Sequence, residues 1–246
     1  MIYYGDVSVS QLRNMLAIMG KEDSVCSRYN LSSLNITKDG DKFYFDVTNG
    51  AVASRTITTD AESGGSVSGD FPKDGVASIP RELIENFLNM IPKGKKVLDT
   101  DVQFTFGDNN TVTLSVNDTM TCDYTEGEKP KGYTFSLSGV YSTDTEFLSF
   151  DKIFKPNTIQ EIASSTFALF TAKNMKLFED FLKCNYYGRG SVSVIRPYGA
   201  LNIGGLIAFV GPEIQEDTTK EGIEKHVATF IMMPCDVAKR YSSGAL

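Results

Sequence analysis

One pattern, repeated at a spacing of about 71 residues, limits what this chain can fold into more than any other feature. "SVSQLRNMLAIMG" (8–20) sets Leu12, Met15, Leu16 and Met19 at i, i+3, i+4 and i+7. Ser8 or Ser10 can cap the run and Gly20 can stop it, which are the marks of an amphipathic helix. Leu34 and Ile36 then alternate with polar residues, "KDGD" turns the chain, and Phe43, Phe45 and Val47 alternate again. That predicts a hairpin, with a third strand near 53–58. The same order returns from residue 80. Pro80 suits a first helical turn, where its missing N–H costs nothing. Ile84, Phe87, Leu88 and Ile91 form the stripe, and Pro92 with Gly94 ends it. Val102, Phe104 and Phe106, a "GDNN" turn, and Val112, Leu114 and Val116 make a second hairpin, followed by a short strand at "MTCDYT" (120–125). Leu12 and Leu83 hold matching places. Two copies of helix, hairpin and strand with little shared sequence predict a pseudo-symmetric α+β domain, with two antiparallel sheets and two helices packed side by side.

A third copy is legible further on. "AKNMKLFEDFLKCN" (172–185) predicts a helix with Met175, Phe178, Phe181 and Leu182 inward. "SVSVIRPYGALNIGGLIAFV" (191–210) reads as a strand pair turned at Pro197-Tyr198-Gly199, and "HVATFIMMP" (226–234) as a final strand. Between 133 and 171 only "NTIQEIASSTF" (157–167) reads as structure, a short capped helix, too little for a full fourth copy. "TEGEKPKG" (125–132) has linker composition. The expected organisation is two domains, 1–125 and 126–246, the first half of the second being compressed. "AESGGSVSGDFPKDG" (61–75) lacks Walker spacing and reads as a solvated loop.

Composition removes several function classes. A chain with 41% hydrophobic and 22% charged residues is globular rather than disordered. No apolar run approaches the ~20 residues of a membrane helix, and the start lacks the regions of a signal peptide, so a cytoplasmic location without membrane contact is expected. Cys26, Cys122, Cys184 and Cys235 lie far apart and His226 is the single histidine, so no metal site is expected. The acidic loop before His226 lacks EF-hand spacing. No constellation suits nucleophilic or acid–base work, so neither catalytic residues nor cofactors are expected, and the chain reads as a non-enzyme. The net charge of −7 argues against a simple basic nucleic-acid binder. Positive charge is nevertheless concentrated. Residues 80–96 and 172–189 each carry a net +2, leaving −11 on the rest.

The stretches "GVASIPRELIENFLNMIPKGKKVLDTDVQFTFGDNNTVTLSVNDTMTCDY" (75–124), "LNITKDGDKFYFDVTNGAVAS" (34–54) and "HVATFIMMPC" (226–235) resemble, in that family's order, parts of the bacterial DNA polymerase III beta sliding clamp. The resemblance covers about 1–124 well and 172–235 less closely. It implies a ring in which helices line a central channel and sheets close edge to edge across subunits, removing their exposed edges. Bacterial rings close with two three-domain subunits, so a two-domain chain implies a homotrimer of the phage-like kind. The implied partners are double-stranded DNA, held without sequence preference, a replicative polymerase and a clamp loader.

Residue assignments follow from that resemblance. Arg13, Lys21, Arg81, Lys93, Lys95, Lys96, Lys173, Lys176 and Lys183 become candidate phosphate contacts on the channel side. Lys176 and Lys183 bracket Glu179 and Asp180, so ordinary intrahelical ion pairing is the competing reading; for Lys93, Lys95 and Lys96 it is a solvated helix end. In the family, partner peptides enter a pocket between a "TDG" turn and the closing Met-Pro strand. Carried over, this marks Thr48, Asn49, Gly50 and Val52 with Met232, Met233 and Pro234, although Ala51-Val52 stand where the family has basic residues. The alternative class is a β-rich, non-catalytic interaction module or viral structural protein built on a clamp-like fold.

Overall fold

The computed structural model describes residues 6–20, 31–92, 98–118, 133–143, 170–185, 192–200, 203–211 and 227–232. Its elements follow the repeat. The first copy is β1 (Val7–Ser8), α1 (Val9–Ile18), β2 (Ser33–Asp39), β3 (Lys42–Thr48), β4 (Val52–Thr59) and β5 (Val67–Gly69). The second is β6 (Val76–Pro80), α2 (Arg81–Met90), β7 (Asp101–Gly107), β8 (Thr111–Asp118) and β9 (Tyr133–Val140). The third is α3 (Ala172–Cys184), β10 (Val192–Ala200), β11 (Ile203–Gly211) and β12 (Ala228–Met232). The expected α+β class is observed.

Local chemistry explains these boundaries. Ser8 caps α1 in a reciprocal box with Gln11: the Ser8 hydroxyl accepts from the Gln11 N–H, and the Gln11 side chain accepts from the Ser8 N–H. Pro80 closes β6 and opens α2, whose stripe of Ile84, Phe87, Leu88 and Ile91 is buried as expected. Asn109 and Asn110 both lie at φ +56°, the left-handed pair that a tight β7–β8 turn requires.

Two strands are exchanged between copies. β1, which leads into α1, pairs with β7 of the second copy, Val7 opposite Val102. β6, which leads into α2, pairs with β2 of the first copy, Ile79 opposite Leu34. Each helix is thus fed from the sheet that belongs to the other. The sheets are β1-β7-β8-β9, with β5 parallel to β7, and the seven-stranded β10-β11-β12-β4-β3-β2-β6. Their inner faces and the helix stripes share one core, in which Phe45 meets Phe104 edge-on at 5.0 Å between ring centroids.

Several expectations need correction. Part of 61–75 is strand rather than solvated loop. Val67 is buried against the core and pairs with Phe104, and a Cβ on Gly69 (φ +80°) would lie 2.0 Å from the Phe106 carbonyl oxygen. Pro197, Tyr198 and Gly199 lie within β10, not at a turn, and Ala200 pairs with Ile203. Among the described strands β10 ends its sheet, a position where a residue without an N–H is tolerated. In α3 Met175 is exposed and Leu182 only partly buried, while Asn174, Leu177, Phe178 and Phe181 face inward. The true stripe begins on a polar residue, which hides it from a hydrophobic count. The strand expected at 120–125 and the helix at 157–167 lie outside the described residues. β9 pairs with β8, so this sheet runs on to Val140.

Candidate nucleic-acid face and partner-binding corner

α1 lies between α2 and α3 and touches both. Arg81, at the start of α2, donates from Nη1 to the carbonyls of Leu16 (2.7 Å) and Met19 (3.0 Å) at the end of α1. In return Arg13 of α1 donates to the Ile91 carbonyl at the end of α2, 3.4 Å away. Each arginine places positive charge at the negative end of its neighbour's dipole, and the two helices run in opposite directions. On the other side Gln11 donates to Asn185 Oδ1 (2.8 Å), and Asn14 to the Leu177 carbonyl (3.4 Å). These buried amides set α3 antiparallel to α1.

The candidate cations therefore divide. Arg81, expected on the channel face, has its guanidinium committed to the α1 terminus and lies 3.7 Å from Glu85. Its side chain is 20% exposed, so its first role is structural. Lys176 pairs with Glu179 (3.3 Å) and Asp180 (2.9 Å), and Lys183 with Glu179, which raises the Lys176 pKa and lowers that of Glu179. The ion-pair reading of this helix holds in the geometry. Lys173 is exposed and makes no ion pair among the described residues. The exposed charges described on α2 are Glu82 and Glu85. Lys21, Lys93, Lys95 and Lys96 lie outside the described residues.

A cavity of about 370 Å³ opens between α1 and α3, with Arg13, Asn14, Asp180 and Lys183 in its wall. Arg13 Nε is buried there without a hydrogen-bond partner among the described residues. Cys184 also lines it, but burial pushes its thiol up to about 12, which keeps it protonated and inert as a nucleophile at neutral pH. Among the described residues no group of three His, Cys, Asp or Glu side chains is placed to hold a metal ion. No helix among them is long and apolar enough to cross a membrane.

The second candidate site is a corner where two distant segments meet. β4 and β12 are antiparallel neighbours, with Val52 opposite Met232 and Ala53 opposite Ile231. The turn that leads into β4 is tied by its own side chains. Asn49 Oδ1 accepts from the N–H groups of Ala51 (3.0 Å) and Val52 (2.9 Å). The Thr48 hydroxyl donates to the Val52 carbonyl (2.7 Å) and accepts from Gly50 N–H (3.0 Å), with Gly50 at φ +86°. Thr48, Val52 and Met232 are buried, whereas Gly50 and Ala51 are exposed at the tip. Met233 and Pro234 lie outside the described residues. The register also aligns Asp46 with Arg55, whose buried side chains make a two-point ion pair at 2.7 and 2.8 Å. Sequence reading missed this pair. A lone arginine in a Ser/Thr-rich strand, nine residues after an aspartate in the preceding one, was its only signal.

No protein-family model matches the chain, and no curated protein does. Solved structures do. A DnaN sliding clamp (DNA polymerase III subunit beta) from Pseudomonas aeruginosa, bound to griselimycin, matches 94% of this chain and 65% of its own, at 10% identity and a TM-score of 0.43. The polymerase III beta subunit from Borrelia burgdorferi matches 94% and 64%, at 9% and 0.39. The sliding clamp from Bacillus subtilis matches 96% and 65%, at 7% and 0.38. These are bacterial DNA sliding clamps. The chain spans about two-thirds of the length of each clamp, or slightly less. Identity this low transfers no residue role from a clamp to this chain.

Proposed function

We propose that this protein is a sliding-clamp subunit: a non-catalytic, cytoplasmic processivity factor that encircles duplex DNA and tethers a replicative polymerase. The observation that carries this reading is the thrice-repeated unit of helix plus three strands, with α1 flanked by α2 and α3 and two copies joined edge to edge at β4–β12. Helices presented side by side with continuous sheets behind them suit a ring wall. Three two-domain copies close such a ring. Its sliding contacts are long-range and weak. Lys173, Lys176, Lys183 and Arg13 bring positive charge to the helix face, joined by Lys21, Lys93, Lys95 and Lys96, while the overall −7 repels phosphate elsewhere. The polymerase and the loader dock an apolar peptide at the corner of Thr48, Asn49, Gly50 and Val52 with Met232, Met233 and Pro234, where methionine gives an adaptable surface.

A non-encircling interaction module is the second reading. It is favoured by the engagement of Lys176 and Lys183 with Glu179 and Asp180, which leaves α3 little free charge. Light scattering tests the ring first: a species near three times 27.0 kDa is expected. Retention on nicked circular DNA, but release from the same DNA once linearised, is expected of a loaded ring. A strict monomer that binds both forms alike would sink the encircling function.

A further inference from the structure

A second cavity, of about 720 Å³, lies away from both sites described above. Phe43, which lines it, is at the opening end of β3, and Thr48 of the partner corner closes that strand, roughly 17 Å away at a rise of about 3.4 Å per residue. The volume falls in the range of roughly 300–1,000 Å³ typical of ligand sites.

Its inner wall is aromatic. Phe43 meets Phe71 edge-on at 5.1 Å, Phe71 meets Phe106 at 4.8 Å, and Phe106 meets Tyr141 at 5.3 Å. Phe43, Phe71 and Tyr141 line the space. A cation already rests on this wall, Lys38 Nζ lying 5.3 Å from the Phe43 ring centroid. The rim is acidic: Asp60, Glu62, Asp70 and Asp108 stand against Lys38 and Lys73. Tyr141 is 5% exposed, and its hydroxyl has no hydrogen-bond partner among the described residues. Tyr141 lines the space, so a polar atom brought by a ligand can reach its hydroxyl. Burial also raises the Tyr141 pKa, keeping the hydroxyl neutral and able to donate to a carbonyl.

The frame is pre-set. Asp70 N–H donates to the Phe106 carbonyl (2.9 Å), and Tyr141 N–H to the Asn110 carbonyl (2.9 Å). We propose that this cavity is a docking site for a peptide segment of a partner protein that carries a basic side chain beside an apolar one. The apolar residue packs on the Phe43–Phe71 wall, the basic group meets the carboxylate rim, and a peptide carbonyl accepts from Tyr141. Nucleic acid is excluded as the occupant because four carboxylates outnumber two lysines at the rim. The site is independent of ring closure.

The test is a heteronuclear NMR titration of the full chain with the blocked dipeptide Ac-Phe-Arg-NH2, alongside Ac-Phe-Gln-NH2 and spermidine. Expected are amide shifts clustered at 67–73, 107–111 and 141 with the Arg peptide, and affinity at least about fivefold weaker for the Gln peptide. Asp70→Asn with Asp108→Asn, both exposed, should weaken the Arg peptide similarly while leaving the rest of the spectrum in place. Tyr141→Phe should weaken both peptides. Spermidine binding as tightly as the Arg peptide would assign the cavity to free polyamines and overturn the peptide site. So would equal affinity for the two peptides, or the absence of shifts.

Discussion

Met232 and Val52, about 180 residues apart in sequence, face each other across the β4–β12 pair with both residues excluded from solvent. This contact welds the last described strand to the first copy of the repeat and places the 48–50 turn beside the closing strand. Met232→Ala should cost about 2–4 kcal/mol through lost transfer energy and the cavity left behind, read as a lowered urea midpoint. Gly50→Ala acts at the exposed tip, where φ is +86°, and should cost about 1 kcal/mol or slightly more. If the corner docks partner peptides, Ala51→Asp should reduce polymerase peptide binding at unchanged stability.

Asp46 and Arg55 form a pair that is weak as evidence of net stability yet dangerous to break. Asp46→Ala should destabilise by about 3–5 kcal/mol because it removes the two-point carboxylate partner of a buried guanidinium. The double substitution Asp46→Leu with Arg55→Met should recover most of that loss. A double-mutant cycle by chemical denaturation decides, and additive losses would contradict this account.

Asp6 and Asp101 sit together where β1 joins β7, with Gln103 and Ser66 donating to Asp6 at 3.3 and 3.4 Å. Burial first, and then the neighbouring Asp6 charge, push Asp101 up to about 6. A carboxyl with a raised folded-state pKa binds more protons folded than unfolded. Its contribution to stability is therefore most favourable below about 4 and is lost as pH rises through about 6. Asp101→Asn should raise the urea midpoint at pH 7 and flatten its fall between pH 4 and 6. An unchanged slope would remove the coupling.

The helix face separates structural from electrostatic arginine and lysine. Arg81→Ala should lower stability by about 1 kcal/mol through the lost α1 termination, with little change in the salt dependence of DNA retention. Lys173→Ala should leave stability within about 0.5 kcal/mol. It should lower the salt slope by about 1 per copy if that residue meets phosphate. The reverse assignment of effects would move the proposed DNA-binding face elsewhere.

Much of this fold was legible because its period is local. The 34–36/43–47 and 102–106/112–116 alternations are satisfied by the hairpin partner next in sequence, and the Ile84–Ile91 stripe shows its own helical period although it packs on distant α1 and β9. The exchange of β1 and β6 was not legible. β1, at two residues, has no period, and the partner of each strand is chosen by the packing of the other copy. In α3 the helix and the inward Phe178 and Phe181 were legible but the full stripe was not: its buried face opens on Asn174, and Asn185, which accepts from Gln11 of α1, looks like surface. At the candidate site the meeting of the 48–52 turn with Met232 was expected only from the family resemblance. The use of Arg81 as a helix terminator was not foreseen, since a cation beside a helix start reads the same whether it serves a phosphate or a carbonyl.

The strand exchange has a consequence for how the chain comes to be made. β1 leaves the ribosome well before its partner β7, which lies about 95 residues later. At about 5–20 residues per second it waits on the order of 5–20 s for that edge to be synthesised. During that interval α1 has its capping box but no sheet beneath its entry, and the nascent first copy is an open half with an unpaired β2 edge. Productive folding is thus gated by translation of residues 76–107. Slow codons placed after that stretch would help the chain, and slow codons placed before it would expose the chain to aggregation.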